Sequence, residues 1–212
     1  MFSSCELRWF FAEQPPVLPD WYGRRGLHFA PEESPMRRCD HYLHQKGRHD
    51  LGIKLREGHV EIKQRIGRIA SSRFQDKVAG KITKWQKWSF RLAATREGGT
   101  DEVLAITRDA HSRDWIPVYK ERLLIWYEIQ DEGRVVLVDM PKWIQEGCTV
   151  ELTRLHCRDR LWYTFGMEAF SAGRHSRRNL LAAMDAFLAE GLELELSLRD
   201  AMDYPEFLDR SL

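Results

Sequence analysis

The stretch Asp50–Arg65, DLGIKLREGHVEIKQR, alternates with a period of two. Ile53 and Leu55 fall on one face of an extended strand, and Lys54 and Arg56 fall on the other. Beyond Glu57-Gly58 the apolar face passes to Val60 and Ile62, and the charged face to Glu61, Lys63 and Arg65. This period, broken by a short turn that contains Gly, predicts a β-hairpin. One side of the hairpin is apolar; the other is a row of long, mostly cationic side chains. Whether that row meets bulk water or lines a polar site decides the architecture.

On the N-terminal side, Cys5–Phe11 predicts a first strand, with Leu7, Trp9 and Phe11 on one face and Glu6, Arg8 and Phe10 on the other. Ala12–Met36 reads as irregular. It holds five of the eight prolines, each of which removes a backbone donor; Trp21, Tyr22 and Phe29 are its expected anchors. Arg37–Gln45 predicts a second strand, with Asp40, Tyr42 and His44 on one face. Ile66–Gly80 is mixed, with breaks expected at Gly67 and Gly80. Lys81–Leu92 predicts another strand, and Thr100 is a candidate cap for a short helix to about Arg108.

Further on, Trp115–Gln130 reads as a long strand, followed by a turn at Asp131-Glu132-Gly133 and a partner strand over Arg134–Asp139. Thr149–Leu155 and Leu161–Phe170 form one more predicted hairpin. Ser176 is an expected helix cap, followed by the apolar stripe Leu180, Leu181, Met184, Phe187 and Leu188, and Gly191 ends the helix. Leu192–Leu198 alternates again, and a helical turn is expected near Pro205.

The 212 residues suit one domain spanning 1–212. The chain is 43% hydrophobic and 31% charged, with a formal net charge of only +1. So even a balance argues against a generic nucleic-acid binder, and any electrostatic function must arise from local segregation of charge. No apolar run approaches the ~20 residues of a membrane helix. Cys5, Cys39, Cys148 and Cys157 form no C-x-x-C pair, which favours reduced thiols and a cytoplasmic location. No P-loop, dinucleotide fingerprint or nucleophile elbow is present.

About eight hairpin-spaced strands with one late helix predict an α+β, mainly β chain built on an antiparallel sheet or barrel. Two versions fit the charged faces. A sandwich or half-barrel would turn them to solvent; a wide barrel would turn them into a wet lumen and cover its apolar exterior with helices and loops.

In sequence order, several segments resemble the CYTH domain, or triphosphate tunnel metalloenzyme, family. Glu6-Leu7-Arg8-Trp9-Phe10 resembles its opening Glu-x-Glu-x-Lys strand, with Arg8 in place of the second Glu and Phe10 in place of the Lys. Asp40-His41-Tyr42-Leu43 resembles its second strand. Gly52–Arg56, Glu61–Arg65 and Lys120-Glu121-Arg122 resemble its basic strands. Gly166-Met167-Glu168 resembles its late acidic strand, with Phe170 where a second Glu belongs, and Tyr204–Leu208 resembles its closing segment.

The resemblance implies a CYTH-like antiparallel barrel of about eight strands, enclosing a tunnel that binds a small triphosphate- or polyphosphate-bearing anion. The ligand would be held by Arg8, Lys54, Arg56, Lys63, Arg65, Lys120 and Arg122. It also implies Mg²⁺ or Mn²⁺ held by Glu6 and Glu168, and cleavage of a phosphoanhydride bond; Glu151 is a further candidate ligand, if its side chain enters the same lumen, to make up for a lost carboxylate. Two alternatives accompany it: a degenerate tunnel that binds without turnover, and a partner-binding scaffold using Trp85, Trp88, Trp115 and Trp126.

Overall fold

The computed structural model describes residues 2–31, 38–91, 114–138 and 144–211. Ten strands are described: β1 Phe2–Phe11, β2 Arg38–Leu43, β3 Leu51–Arg56, β4 His59–Arg65, β5 Ala70–Gln75, β6 Val78–Arg91, β7 Trp115–Ile129, β8 Val135–Val138, β9 Glu146–Cys157 and β10 Arg160–Ser171. Three helices join them: α1 Val17–Gly23, α2 Ser176–Leu188 and α3 Tyr204–Arg210. The helix expected from Thr100 lies outside the described residues, as does Pro141.

Eight strands close on themselves in the order β1-β10-β9-β7-β2-β3-β4-β6, and β6 returns to pair with β1. Every pairing in this ring is antiparallel. Strands β5 and β8 extend it beside β6 and β7. Closure pairs each of the eight ring strands on both sides. The deciding hairpin forms as expected: Ile53 pairs with Ile62, and Glu57 and Gly58 both have positive φ, the geometry of a tight two-residue turn.

The apolar faces point outward. Leu7, Trp9, Ile125, Val150, Phe165 and Met167 pack against Leu18 and Trp21 of α1 and against Leu180, Met184 and Phe187 of α2. A smaller core fills one end of the interior, where Phe10, Ile116, Val118 and Leu155 meet Phe207 and Leu208 of α3. Phe10 and Phe207 stack with ring centroids 4.1 Å apart. The interior is therefore apolar at one end and ionic above it.

Four expectations need correction. The proline-rich segment contains α1, because Leu18, Trp21 and Tyr22 give it a buried face that local breakers do not abolish. Ile66–Gly80 contains β5, and Gly80 lies inside β6; it is glycine because a Cβ there would stand 2.4 Å from the Trp9 ring. Leu192–Leu198 makes only a single bridge, Val78 to Leu196. Its alternation records one-sided burial of Leu194 and Leu196, without a ladder. Ser176 is the first helical residue, with His175 at the cap position, and its hydroxyl donates to Cys5 Sγ at 3.3 Å.

Candidate functional site

The charged faces of the ring strands converge on a cavity of about 160 Å³. It is smaller than the ~300–1,000 Å³ of drug-sized ligand pockets. Alternation places the side chains: residues two apart on a strand share its inner face. Strand β1 supplies Glu6 and Arg8, β3 supplies Lys54 and Arg56, and β7 supplies Lys120 and Arg122. Lys63 enters from β4, Glu151 from β9 and Glu168 from β10. Nine of the ten residues expected from sequence thus line one cavity. The tenth, Arg65, engages Asp203 at 3.6 Å and lies over the Trp85 ring. Trp85 is buried and faces the lumen, so it is not available as a surface for a partner.

Sequence reasoning did not assign Arg38, Lys87, Asp203 or Tyr204 to the lining. Arg38 and Lys87 were legible in principle, since they share a face with Asp40 and Trp85. Asp203 and Tyr204 come from the segment entering α3, and only tertiary folding brings them to the barrel.

Three carboxylates organise the cations. Asp40, wholly buried, accepts from Arg38 through both oxygens at 2.9 and 3.0 Å, and from Lys54 and Lys120 at 3.2 Å each. Burial opposes its charge, but Lys120, Arg38 and Lys54 hold its carboxyl far below the ordinary range. Lys120 also donates to the Tyr42 hydroxyl at 2.7 Å and lies 3.7 Å from the centre of the Tyr204 ring. Burial drives its ammonium pKa well below the usual lysine value.

Glu61 gathers Lys54 at 3.1 Å, Lys87 at 3.2 Å and Arg56. Burial pushes its carboxyl up, but the Lys54 and Lys87 ammoniums outweigh that and bring it down to about 2. Glu151 accepts from Arg8 at 2.8 Å on one oxygen and from Arg122 on the other. Thr153 donates to it at 2.8 Å. Gly166 leaves room here: a Cβ at this position would stand 2.7 Å from the Arg8 guanidinium carbon, which crosses that strand to reach Glu151.

The remaining pair is built differently. Glu6 and Glu168 are direct cross-strand neighbours, and one ammonium lies between them. Lys63 Nζ is 2.6 Å from Glu6 Oε1 and 3.1 Å from Glu168 Oε1. Burial and the neighbouring Glu168 push the Glu6 carboxyl up to about 7. Burial also opposes ionisation of Glu168, but Lys63 holds it down at about 2. The two therefore titrate as a pair.

The carboxylates implied as ligands for Mg²⁺ or Mn²⁺ are not free to hold a hard cation, which needs several oxygens on one centre. Among the described residues no group of three or more His, Cys, Asp or Glu side chains is arranged to hold a metal. Both oxygens of Glu151 face arginines, and Lys63 already bridges Glu6 to Glu168.

The cations differ in reach. Side chains of Arg56 and Arg122 are each 27% exposed and that of Lys87 is 28%, against 4% for Lys120 and 9% for Arg8. The first group can meet a ligand that enters the mouth; the second is fixed scaffold.

No helix among the described residues is long and apolar enough to cross a membrane. No family model and no curated protein matches the sequence. Among solved structures, the chain is similar to a Bacillus halodurans protein provisionally named an adenylate cyclase. That match covers 93% of this chain and 96% of the other, at 9% identity and a TM-score of 0.36.

Proposed function

We propose that the chain is a divergent CYTH-like barrel whose lumen binds a small, highly charged phosphate anion, of the triphosphate or polyphosphate class. One observation carries this reading: eight cationic side chains from six strands line a single small cavity, against five carboxylates. A solvated surface row would not bring Arg8, Lys63 and Arg122, far apart in sequence, into one cavity. The order of the resembling segments adds to this, because the positions that carry the likeness are those that face inward.

The binding chemistry follows from the side chains. Arg56 and Arg122 offer forked donors to non-bridging phosphoryl oxygens, and Lys63 and Lys87 supply compact charge. An incoming anion replaces Glu61 and Glu151 as the partner of the more exposed cations, so binding is an exchange of carboxylate for phosphate. Asp40 stays behind, holding Arg38, Lys54 and Lys120 at fixed positions. The volume suits a bare phosphate chain better than a nucleotide.

Binding is the proposed activity. Calorimetric titration with tripolyphosphate tests it, alongside ATP and monophosphate. Tripolyphosphate is expected to bind at one site, more tightly than the other two, and less tightly as salt rises. Salt-independent binding, or none, refutes the proposal.

A further inference from the structure

The resemblance offers Glu6 and Glu168 to a divalent metal, yet the molecule places its own cation between them. We infer that Lys63 is a resident substitute for that metal, so that the lumen takes its anion without any divalent ion. The inference rests on the phosphate-binding reading of the lumen for its functional meaning, but its structural half stands without it.

The geometry is specific. Glu6 and Glu168 are opposite one another on β1 and β10, and Lys63 reaches across from β4 to contact both. A metal bound by these two carboxylates would have to expel the ammonium or lie against its like charge. Two of the three ammonium donors of Lys63 are engaged by the glutamates. The third can donate to a phosphoryl oxygen, which is the bridging contact a metal would otherwise make. A lysine has three donors and no acceptor, so this division of roles matches its chemistry.

The other expected ligand position points the same way. Arg8 stands where the family pattern has its second glutamate. Its guanidinium turns to Glu151, sharing that carboxylate with Arg122. A charge that would draw a metal is thereby replaced by one that repels it, and the last candidate carboxylate is neutralised. Gly166 is what lets that guanidinium lie across β10. Arg8 and Gly166 thus act together on one site.

The test uses Mn²⁺ alone, followed by electron paramagnetic resonance, on the full chain without any phosphate ligand. Wild type is expected to leave the free Mn²⁺ signal unchanged. Lys63→Met, which exposes Glu6 and Glu168 to one another, is expected to gain a Mn²⁺ site that Lys63→Met/Glu168→Gln loses. Stoichiometric Mn²⁺ binding by wild type, abolished by Glu168→Gln, overturns the inference, as does a folded Lys63→Met that gains no site. If Lys63→Met fails to fold, the wild-type measurement still decides. Tripolyphosphate titration in EDTA forms the second arm. An unchanged Kd on chelation supports the inference, and loss of binding only in EDTA contradicts it. Absence of tripolyphosphate binding under every condition defeats the phosphate reading alone and leaves the Mn²⁺ result standing.

Discussion

Two ionic centres inside the barrel are built with opposite balance. At Asp40 one carboxylate holds three cations, Arg38, Lys54 and Lys120. At Lys63 one ammonium holds two carboxylates, Glu6 and Glu168. The difference lies in what each can do when its central member is lost. Arg38 cannot release its proton, so the Asp40 centre has only partial means of shedding excess charge. The carboxylate pair can take up a proton, so the Lys63 centre can relax. The first centre is suited to fixed scaffolding, and the second to a site that responds to pH and to ions.

The largest expected effect breaks the first centre. Asp40→Ala leaves the cations around a wholly buried position without their shared partner, and is expected to lower stability by about 3–5 kcal/mol. Urea unfolding measures it; a change within error would show that these contacts are not structural.

Lys63→Met is expected to be milder and dependent on pH. Near neutral pH it leaves buried acceptors unpaired, a loss of about 1–3 kcal/mol. That loss should shrink on acidification, as Glu6 and Glu168 become protonated. Equal losses at pH 5 and pH 8 would contradict the contrast between the two centres.

A smaller effect sharpens the contrast in wild type. The folded pKa of Glu6, about 7, lies above its ordinary value of 4.5. Its stabilising contribution is therefore fully present below the ordinary value and is lost as pH rises through about 7. Glu61 acts in the reverse sense. Its folded pKa is about 2, so its contribution is present above its ordinary value and is lost as pH falls through about 2. Glu6→Gln is expected to flatten stability against pH between roughly 4.5 and 7. A slope surviving in that window would assign it elsewhere.

The smallest expected change in stability comes from Arg56→Ala, at the mouth, but it should weaken tripolyphosphate binding about tenfold, in the range of a charge-assisted contact. Arg73→Ala, at an exposed position of β5, serves as its control and should change neither. Equal effects from the two would mean that net charge, without placement, governs binding.

Much of this contrast was legible in the chain. Alternation in β1, β3, β4 and β7 put Arg8, Lys54, Arg56, Lys63 and Arg122 on charged faces, and period two is a local property of the backbone. Which way those faces turned was not local, because the same pattern serves a solvated sandwich and an ionic lumen. Closure of β6 onto β1 settles it, and that pairing joins residues about 80 apart. The order of motifs pointed to Glu6 and Glu168, and alternation on its own strand made Glu151 a candidate, but neither gave a sign that Lys63 and the arginines already engage them. Asp203 and Tyr204 were out of reach, since they arrive with a terminal segment whose docking depends on Phe10 and Phe207.

The central claim is that these inward charges form a receptor for a phosphate chain. Titration of the full-length protein with tripolyphosphate in EDTA, at low and high salt, tests it most directly. The account predicts one bound anion per chain, with affinity falling as salt rises and falling again in Arg122→Ala. Undetectable binding at low salt, or binding indifferent to both salt and Arg122, would contradict it.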